Sequence, residues 1–350
     1  MRILHLINHI RDAGNGLTNV CIDLAVEQSR MGADVRVASG GGEFSRLLEA
    51  EGVTTSWIEF ADRSPRGALR SLLQLRSVIR EFDPQVVHSH TITPAVLALP
   101  LARTTVATVH NEYQRGVSAM GLSKAVVGVS GAVTEAMKHR GVPMSRLHTV
   151  VNGPTGSLRR WPPADSVRLP PHTFVMVGAV SALKGADLAV RAMAELVRSV
   201  PDARLLLIGD NHLPGIEEQA ADLGLQNAVE FLGFQPRPER YMAEAVALIM
   251  PSRRESLGLV ALEAQCEGTP VIGFAIDGIP EALAFGEAGL LVTPGDPSAL
   301  AEAMRRLAHD QVMRGRLADG ARRHAHSRST ARMAREYMDV YSGLLARGRA

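Results

Sequence analysis

Short β-branched runs alternate with helical patterns along the whole chain, and one break crowded with Pro and Gly divides them into two sets. That alternation restricts the fold to parallel α/β layers, because parallel neighbours need a long crossover between them. The first set predicts strands at Ile3–Ile7, Val35–Ala38, Val53–Ile58, Val86–His88, Thr105–Val109, Ala125–Val129 and Leu147–Val150. Its clearest helices are Leu17–Met31, Ala68–Phe82 and Ala132–His139. Residues 152–171, NGPTGSLRRWPPADSVRLPP, read as a linker. The pattern then restarts with strands at Phe174–Gly178, Arg204–Ile208, Val229–Leu232, Leu248–Met250 and Val271–Gly273. Helices at Ala186–Ser199, Ile216–Leu223 and Leu259–Glu267 separate them. From Pro297 onward only helix is predicted. The last stretch, about Thr330–Leu345, places Met333, Tyr337, Tyr341, Leu344 and Leu345 on one face that must bury against something. Two consecutive Rossmann-like domains are the expected architecture, with ligand between the carboxyl ends of two facing sheets.

Bulk properties exclude several classes. Hydrophobic residues make up 46% of the 350, enough for sizeable cores. The 38 basic and 36 acidic residues nearly cancel, so charge alone does not point to nucleic acid. Cys21 and Cys266 stand far apart and outside any CxxC pair, which argues against a disulfide framework or a zinc knuckle and fits a reduced, cytoplasmic setting. The opening MRILHLINHI has too short an apolar run for a signal peptide and reads as a first buried strand. No apolar run approaches the ~18 residues of a membrane span, which leaves surface contact as the only membrane role expected.

The most informative segment is PSRRESLGLVALEAQCEGTPVI, Pro251–Ile272. Glu255 precedes a helix expected to begin near Gly258, and Glu263 lies eight positions later. Were the whole span helical, the two carboxylates would face one side, roughly 12 Å apart along the axis. One acid then suits a sugar and the other a ribose. Between them Leu257, Gly258, Leu259 and Val260 offer backbone N–H groups at a helix N-terminus, which suits a diphosphate. Gly258 removes the side chain that would block close approach.

These residues resemble the family-four retaining glycosyltransferases. ESLGLVALE matches that family's E-x7-E motif, and the preceding Pro-Ser, the following EGTPVI and the DGIPEAL at Asp277–Leu283 match its flanks. The resemblance covers nearly the whole chain, strongest over 174–295, and implies the GT-B fold. In that fold two Rossmann-like domains face across a cleft and a C-terminal helix crosses back to the first. By position it implies an acceptor-side domain over 1–160 with the helix 330–350, and a donor-binding domain over 161–329. It further implies that Glu255 contacts the transferred sugar and that Glu263 holds the ribose diol. Lys184, in VGAVSALKG, would bind the diphosphate as negative charge develops on the leaving group. FLGF at 231–234 would lie against the base. One departure stands out. The family's GR-x(4)-K has Ala179 in place of its arginine here, and Arg253 and Arg254 are the candidates to compensate.

The first half matches more loosely. Gly14 and Gly16 follow the first strand, but Asn19 occupies the place of a third dinucleotide-fingerprint glycine, so NAD is disfavoured. The resemblance implies that the loop bearing Gly16 closes over donor phosphates and acceptor. His110, in TVHN, resembles the family's histidine near the donor sugar. His88 and His90 have no acidic or Cys partner at ligand spacing in the sequence, so zinc is not expected. The absence of D-x-D likewise points to side-chain cations and no metal cofactor. Arginines cluster at 63–80, where Leu69, Leu72, Leu73, Arg76 and Ile79 trace a helical stripe. The helix is expected to pack its apolar side on the sheet. The alternative is peripheral membrane contact through Arg66, Arg70, Arg76 and Arg80.

The expectation is therefore a metal-independent, retaining transferase. It would move a hexose-type sugar from a nucleotide-diphosphate donor to a carbohydrate, lipid-linked or small-molecule acceptor, in the synthesis of polysaccharide, glycolipid or glycoconjugate. Two alternatives stay open. One is a weakened nucleotide-sugar-binding protein, motivated by Ala179, and the other is a sugar-nucleotide epimerase on the same fold.

Overall fold

A computed structural model describes residues 1–12, 14–62, 64–160 and 167–348. The chain separates into two compact units, Met1–Arg159 with Ser329–Ala350, and Arg160–Arg328. Of the expected linker, 161–166 lies outside the described residues, as does Arg63 in the basic stretch.

The first unit runs β1 (Arg2–Leu6), α1 (Gly16–Arg30), β2 (Asp34–Ser39), α2 (Ser45–Ala50), β3 (Thr54–Trp57), α3 (Pro65–Phe82), β4 (Val86–Ser89), α4 (Ile92–Ala98), β5 (Thr105–Val109), β6 (Ala125–Gly128), α5 (Gly131–His139) and β7 (Leu147–Thr149). Its seven strands lie in the order β3-β2-β1-β4-β5-β6-β7, and every pairing is parallel. The order reverses direction beside β1, with β2 on one side and β4 on the other, which makes the topological switch point of a doubly wound sheet. Strands such as β5, TVATV, are buried at every position, as expected of a sheet covered on both faces.

The second unit repeats the plan with β8 (Thr173–Val177), α6 (Ala186–Leu196), β9 (Arg204–Ile208), α7 (Ile216–Asp222), β10 (Val229–Gly233), α8 (Glu239–Glu244), β11 (Ala247–Met250), α9 (Leu259–Cys266), β12 (Val271–Phe274), α10 (Ile279–Ala282), β13 (Gly289–Val292), α11 (Pro297–His309) and α12 (Gln311–Ser327). Its order is β10-β9-β8-β11-β12-β13, again all parallel. Its core gathers Phe174, Met193, Leu207, Ile249, Met304 and Leu307 from β8, α6, β9, β11 and α11. Sequence periodicity missed α2, α4, α8, α10 and β13, each seven residues or shorter.

The chain then returns to the first unit as α13 (Thr330–Arg347). Ser329 caps it by accepting from Arg332 N–H at 3.1 Å. Met333, Tyr337 and Tyr341 are fully buried there, and Leu344 and Leu345 are half-buried. Thr330 and Thr155 are joined through backbone, and Thr330 Oγ1 donates to Glu27 Oε1 of α1 at 3.1 Å.

The arginine-rich helix corrects the expected stripe. The buried positions of α3 are Gly67, Ser71, Leu75 and Phe82, while Leu69 and Leu73 are each 57% exposed beside Arg66, Arg70, Arg76 and Arg80. Buried Leu75 and Phe82 set the inward face at seven-residue spacing, and that rotation turns Leu69 and Leu73 outward.

Candidate active site

In the second unit two loops at the carboxyl edge of the sheet meet. One follows β8 and carries Lys184, and the other follows β11 and carries Glu255. Lys184 Nζ donates to Glu255 Oε2 at 2.6 Å. Gly185 lets the loops approach so closely, because a Cβ there would overlap the Pro251 carbonyl and its φ of +77° is left-handed. Arg253 N–H closes the junction onto the Leu183 carbonyl at 2.8 Å.

Arg253 itself is engaged. Its guanidinium forks onto both carboxylate oxygens of Asp187 at 2.7 Å each, holding that carboxyl below the usual range, and also donates to the Ala182 carbonyl. The expectation that Arg253 stands in for the missing arginine is thus corrected, because its fork is already spent on α6. Ala179 is exposed at the same edge, directly after Gly178.

Glu255 is fixed by a third segment. Its N–H donates to Asp277 Oδ2 at 3.0 Å, and its carbonyl accepts from Gly278 N–H at 3.0 Å. A Cβ on Gly278 would overlap Ser256 O and Leu257 Cα. Asp277 and Gly278 therefore hold the acid in place, a role not assigned from sequence although DGIPEAL was singled out.

Glu255 to Gly258 is not helical, since α9 begins at Leu259 with Gly258 as its left-handed N-cap at φ +93°. The helical estimate of the Glu255–Glu263 separation fails for that reason, and only Glu263 lies on α9. No side chain caps α9, so its first amides at Leu259 and Val260 point out of the helix with the positive end of the dipole. Leu257 and Gly258 are buried beneath them. On the flank of α9, Glu263 and Glu267 surround the guanidinium of Arg160, which pairs directly with Glu267. Gly233 ends β10 after a register shift at Phe231/Gly233 and accepts from Gly209 N–H at 2.8 Å, and Phe234 beside it is 42% exposed.

In the first unit, Asn15 caps α1 by accepting from Leu17 N–H at 3.1 Å, and Gly16 is the first helical residue. His110 follows β5 and is half-buried. Its Nε2 lies 3.1 Å from His90 Nδ1. His90 Nε2 lies 3.0 Å from His5 Nδ1, and His5 Nε2 lies 2.8 Å from Gln28 Oε1. His88 reaches Thr108 Oγ1 at 2.7 Å and Tyr341 OH at 2.6 Å. Burial lowers the pKa of all four rings, to about 4 for His5 and about 3 for His110. His88 and His90 are therefore interior groups.

The structure also brings Cys21 of α1 to His5 and His90, their ligand atoms all within 4.8 Å of one another. The sequence spacing around His88 and His90 did not reveal this approach, because it is made across the sheet and not along the chain. The thiol is fully buried, and burial pushes its pKa up, away from the thiolate a metal requires.

Comparisons with known proteins agree along the chain. Residues 161–324 match the family described as Glycosyl transferases group 1, and residues 14–154 match Glycosyltransferase Family 4. A D-inositol 3-phosphate glycosyltransferase of Corynebacterium urealyticum is 38% identical over 180 residues, 48% of this chain and 42% of the relative. The match thus spans less than half of that relative's length. Among solved structures, Anabaena HepE in complex with UDP and glucose shares the fold at a TM-score of 0.80 and 22% identity, over 98% of this chain and 100% of that one. Sucrose-phosphate synthase from Thermosynechococcus elongatus does so at 0.80 and 20%, over 99% of each.

Proposed function

The chain belongs to the family-four glycosyltransferases, and from that premise we propose that it transfers a sugar from a nucleotide-diphosphate donor with retention and without a metal. The observation that carries the reading is the Lys184–Glu255 pair, 2.6 Å apart beside the uncapped N-terminus of α9. In this reading the anomeric C–O bond breaks with its electron pair going to the diphosphate. The acceptor oxygen forms the new bond on the same face and releases its proton to the departing diphosphate.

Lys184 and the amides of Leu259 and Val260 stabilise the charge that develops on the leaving group. Glu255 accepts hydrogen bonds from sugar hydroxyls, and Glu263 from the ribose diol. The Lys184–Glu255 ion pair holds both groups in place before the donor arrives, which removes reorganisation from the chemical step. His110 has, from the family resemblance alone, its role toward a sugar hydroxyl.

The test is a panel of labelled nucleotide sugars, UDP-glucose first, with D-inositol 3-phosphate heading the acceptors. Nucleotide diphosphate with glycosylated acceptor or free sugar supports transfer. A rearranged nucleotide sugar would mean epimerisation, and binding without turnover would mean a scaffold. Lys184→Ala and Glu255→Ala are each expected to lose at least a hundredfold in kcat/KM with the fold intact, and excess EDTA is expected to leave turnover unchanged. Near-normal activity in either variant, or loss in EDTA restored by manganese, refutes the corresponding part of the assignment.

A further inference from the structure

Eight polar groups of the first unit form one continuous chain of hydrogen bonds ending at His110. In order they are His110, His90, His5, Gln28, Tyr341, His88, Thr108 and Tyr337. The links measure 3.1, 3.0, 2.8, 3.3, 2.6, 2.7 and 2.9 Å. All these residues except His110 are essentially inaccessible.

With the Gln28 amide oxygen turned toward His5, the proton positions follow by elimination. A neutral imidazole has one N–H and one bare nitrogen. Gln28 Oε1 can only accept, so His5 Nε2 carries the hydrogen and His5 Nδ1 is bare. His90 Nε2 must then donate to it, which leaves His90 Nδ1 bare in turn. His110 Nε2 therefore carries the hydrogen, and its Nδ1 is the open acceptor at the head of the chain. Beyond Gln28 the direction persists, because the amide N–H donates to Tyr341 OH, which donates to His88 Nδ1, leaving His88 Nε2–H for Thr108. A chain in which every donor points the same way strengthens each link.

We propose that Gln28, His5, His90 and Tyr341 are positioning residues that hold His110 in the Nε2–H tautomer, so that its Nδ1 accepts a hydrogen bond from a hydroxyl of the transferred sugar. Gln28 on α1 is the polarity-setting group, because turning its amide over would reverse every link and place the hydrogen on His110 Nδ1. Tyr341 OH accepts from the amide nitrogen at 3.3 Å and carries the chain on to His88, which gives the C-terminal helix α13 a part in it. The sugar-facing half of this inference rests on the proposed function above, while the tautomer does not. The nearby Cys21 raises the rival that a metal sits between His5 and His90. In this structure His5 Nδ1 and His90 Nε2 lie 3.0 Å apart, at hydrogen-bond distance, and the test below separates the two.

The test uses the full chain with ¹⁵N-labelled histidine, with His110 signals identified by their loss in His110→Asn. Long-range ¹H–¹⁵N spectra at pH 7 are expected to show His110 protonated on Nε2 alone. Tyr341→Phe, whose change lies on another element and touches no ligand, is expected to convert this into a mixture of tautomers. The same variant is expected to lower kcat about two- to tenfold with the donor KM little changed. Gln28→Met provides a second variant should either one fold poorly. An Nδ1–H His110 in the wild type overturns the proposal, as does a tautomer unmoved in both variants. So does stoichiometric zinc in the purified protein, released together with the histidine shifts by chelator. A correct tautomer combined with full activity in His110→Ala would instead overturn the sugar-facing role, leaving the chain as a structural device.

Discussion

The linked histidines make the first unit sensitive to acid, by an amount that can be worked out before measurement. Burial holds each ring neutral in the folded chain, with pKa about 4 at His5, about 3 at His110 and well below the ordinary value at His88 and His90. In the unfolded chain each titrates near 6.5. The unfolded state therefore binds more protons in the window between, and stability falls as pH falls. The contribution is fully present above about pH 6.5 and is lost progressively toward the folded pKa values. At pH 5 each of His5 and His110 costs about 2 kcal/mol, about 4 kcal/mol together, a large share of the ~5–15 kcal/mol of a typical domain. Near pH 5.5 these two alone give a slope of about 2.4 kcal/mol per pH unit, close to two protons, and His88 and His90 steepen it. Hydrogen exchange of β1, β4 and β5 peptides, corrected for intrinsic rate, reads this unit separately from the second. Opening free energies are expected to fall steeply from pH 7 to 5 in those strands while β8 and β11 change little. A slope below about 1.4 kcal/mol per unit in β1 and β4, less than one proton, would mean that the rings are not held neutral by burial.

Two further perturbations test the second unit. Gly185→Ala places a Cβ against the Pro251 carbonyl and forces a left-handed φ of +77° on an L-residue, so a stability loss of about 2–4 kcal/mol with weakened donor binding is expected by denaturation and calorimetry. An unchanged unfolding midpoint would refute the close approach of the two loops. Because Asp187 occupies Arg253, Ala179→Arg alone is expected to tighten donor binding, by about tenfold to a hundredfold for one charge-assisted hydrogen bond of about 1.5–3 kcal/mol. A gain seen only after Arg253→Ala would show that Arg253 does reach the diphosphate.

The parts of the fold that read clearly from sequence are those in which one local signal decides the structure. Thr105–Val109 and Arg204–Ile208 were expected with the observed bounds because an unbroken run of buried β-branched or aliphatic residues ends at a Gly or a polar residue. Ile92–Ala98 and Gly289–Val292 were missed for the converse reason. The first opens with two β-branched residues and then a Pro, and the second is a four-residue strand that starts on Gly. Their identity is set by neighbouring strands and helices rather than by local preference.

The same distinction separates the two halves of the candidate site. Lys184, Glu255 and Glu263 stand out because the motifs that carry them are short and locally spaced, with glycines where loops must touch. Even so, the pairing of Arg253 with Asp187 was not legible, since Asp187 lies 66 positions away and meets it only when α6 and the loop after β11 are folded together. The histidine chain is the extreme case. Gln28 and Tyr341 are separated by 313 positions, and each by itself reads as an ordinary residue on an amphipathic helix. What makes them more than core is satisfiability, because a buried amide has one oxygen that only accepts and one nitrogen that only donates. Placed between His5 and Tyr341, that asymmetry dictates the proton on every ring as far as His110. Chemistry of this kind becomes legible only when strands adjacent in space but distant in sequence are paired, which here is the parallel alignment of β1 with β4 and β4 with β5 that sets His5 opposite His88.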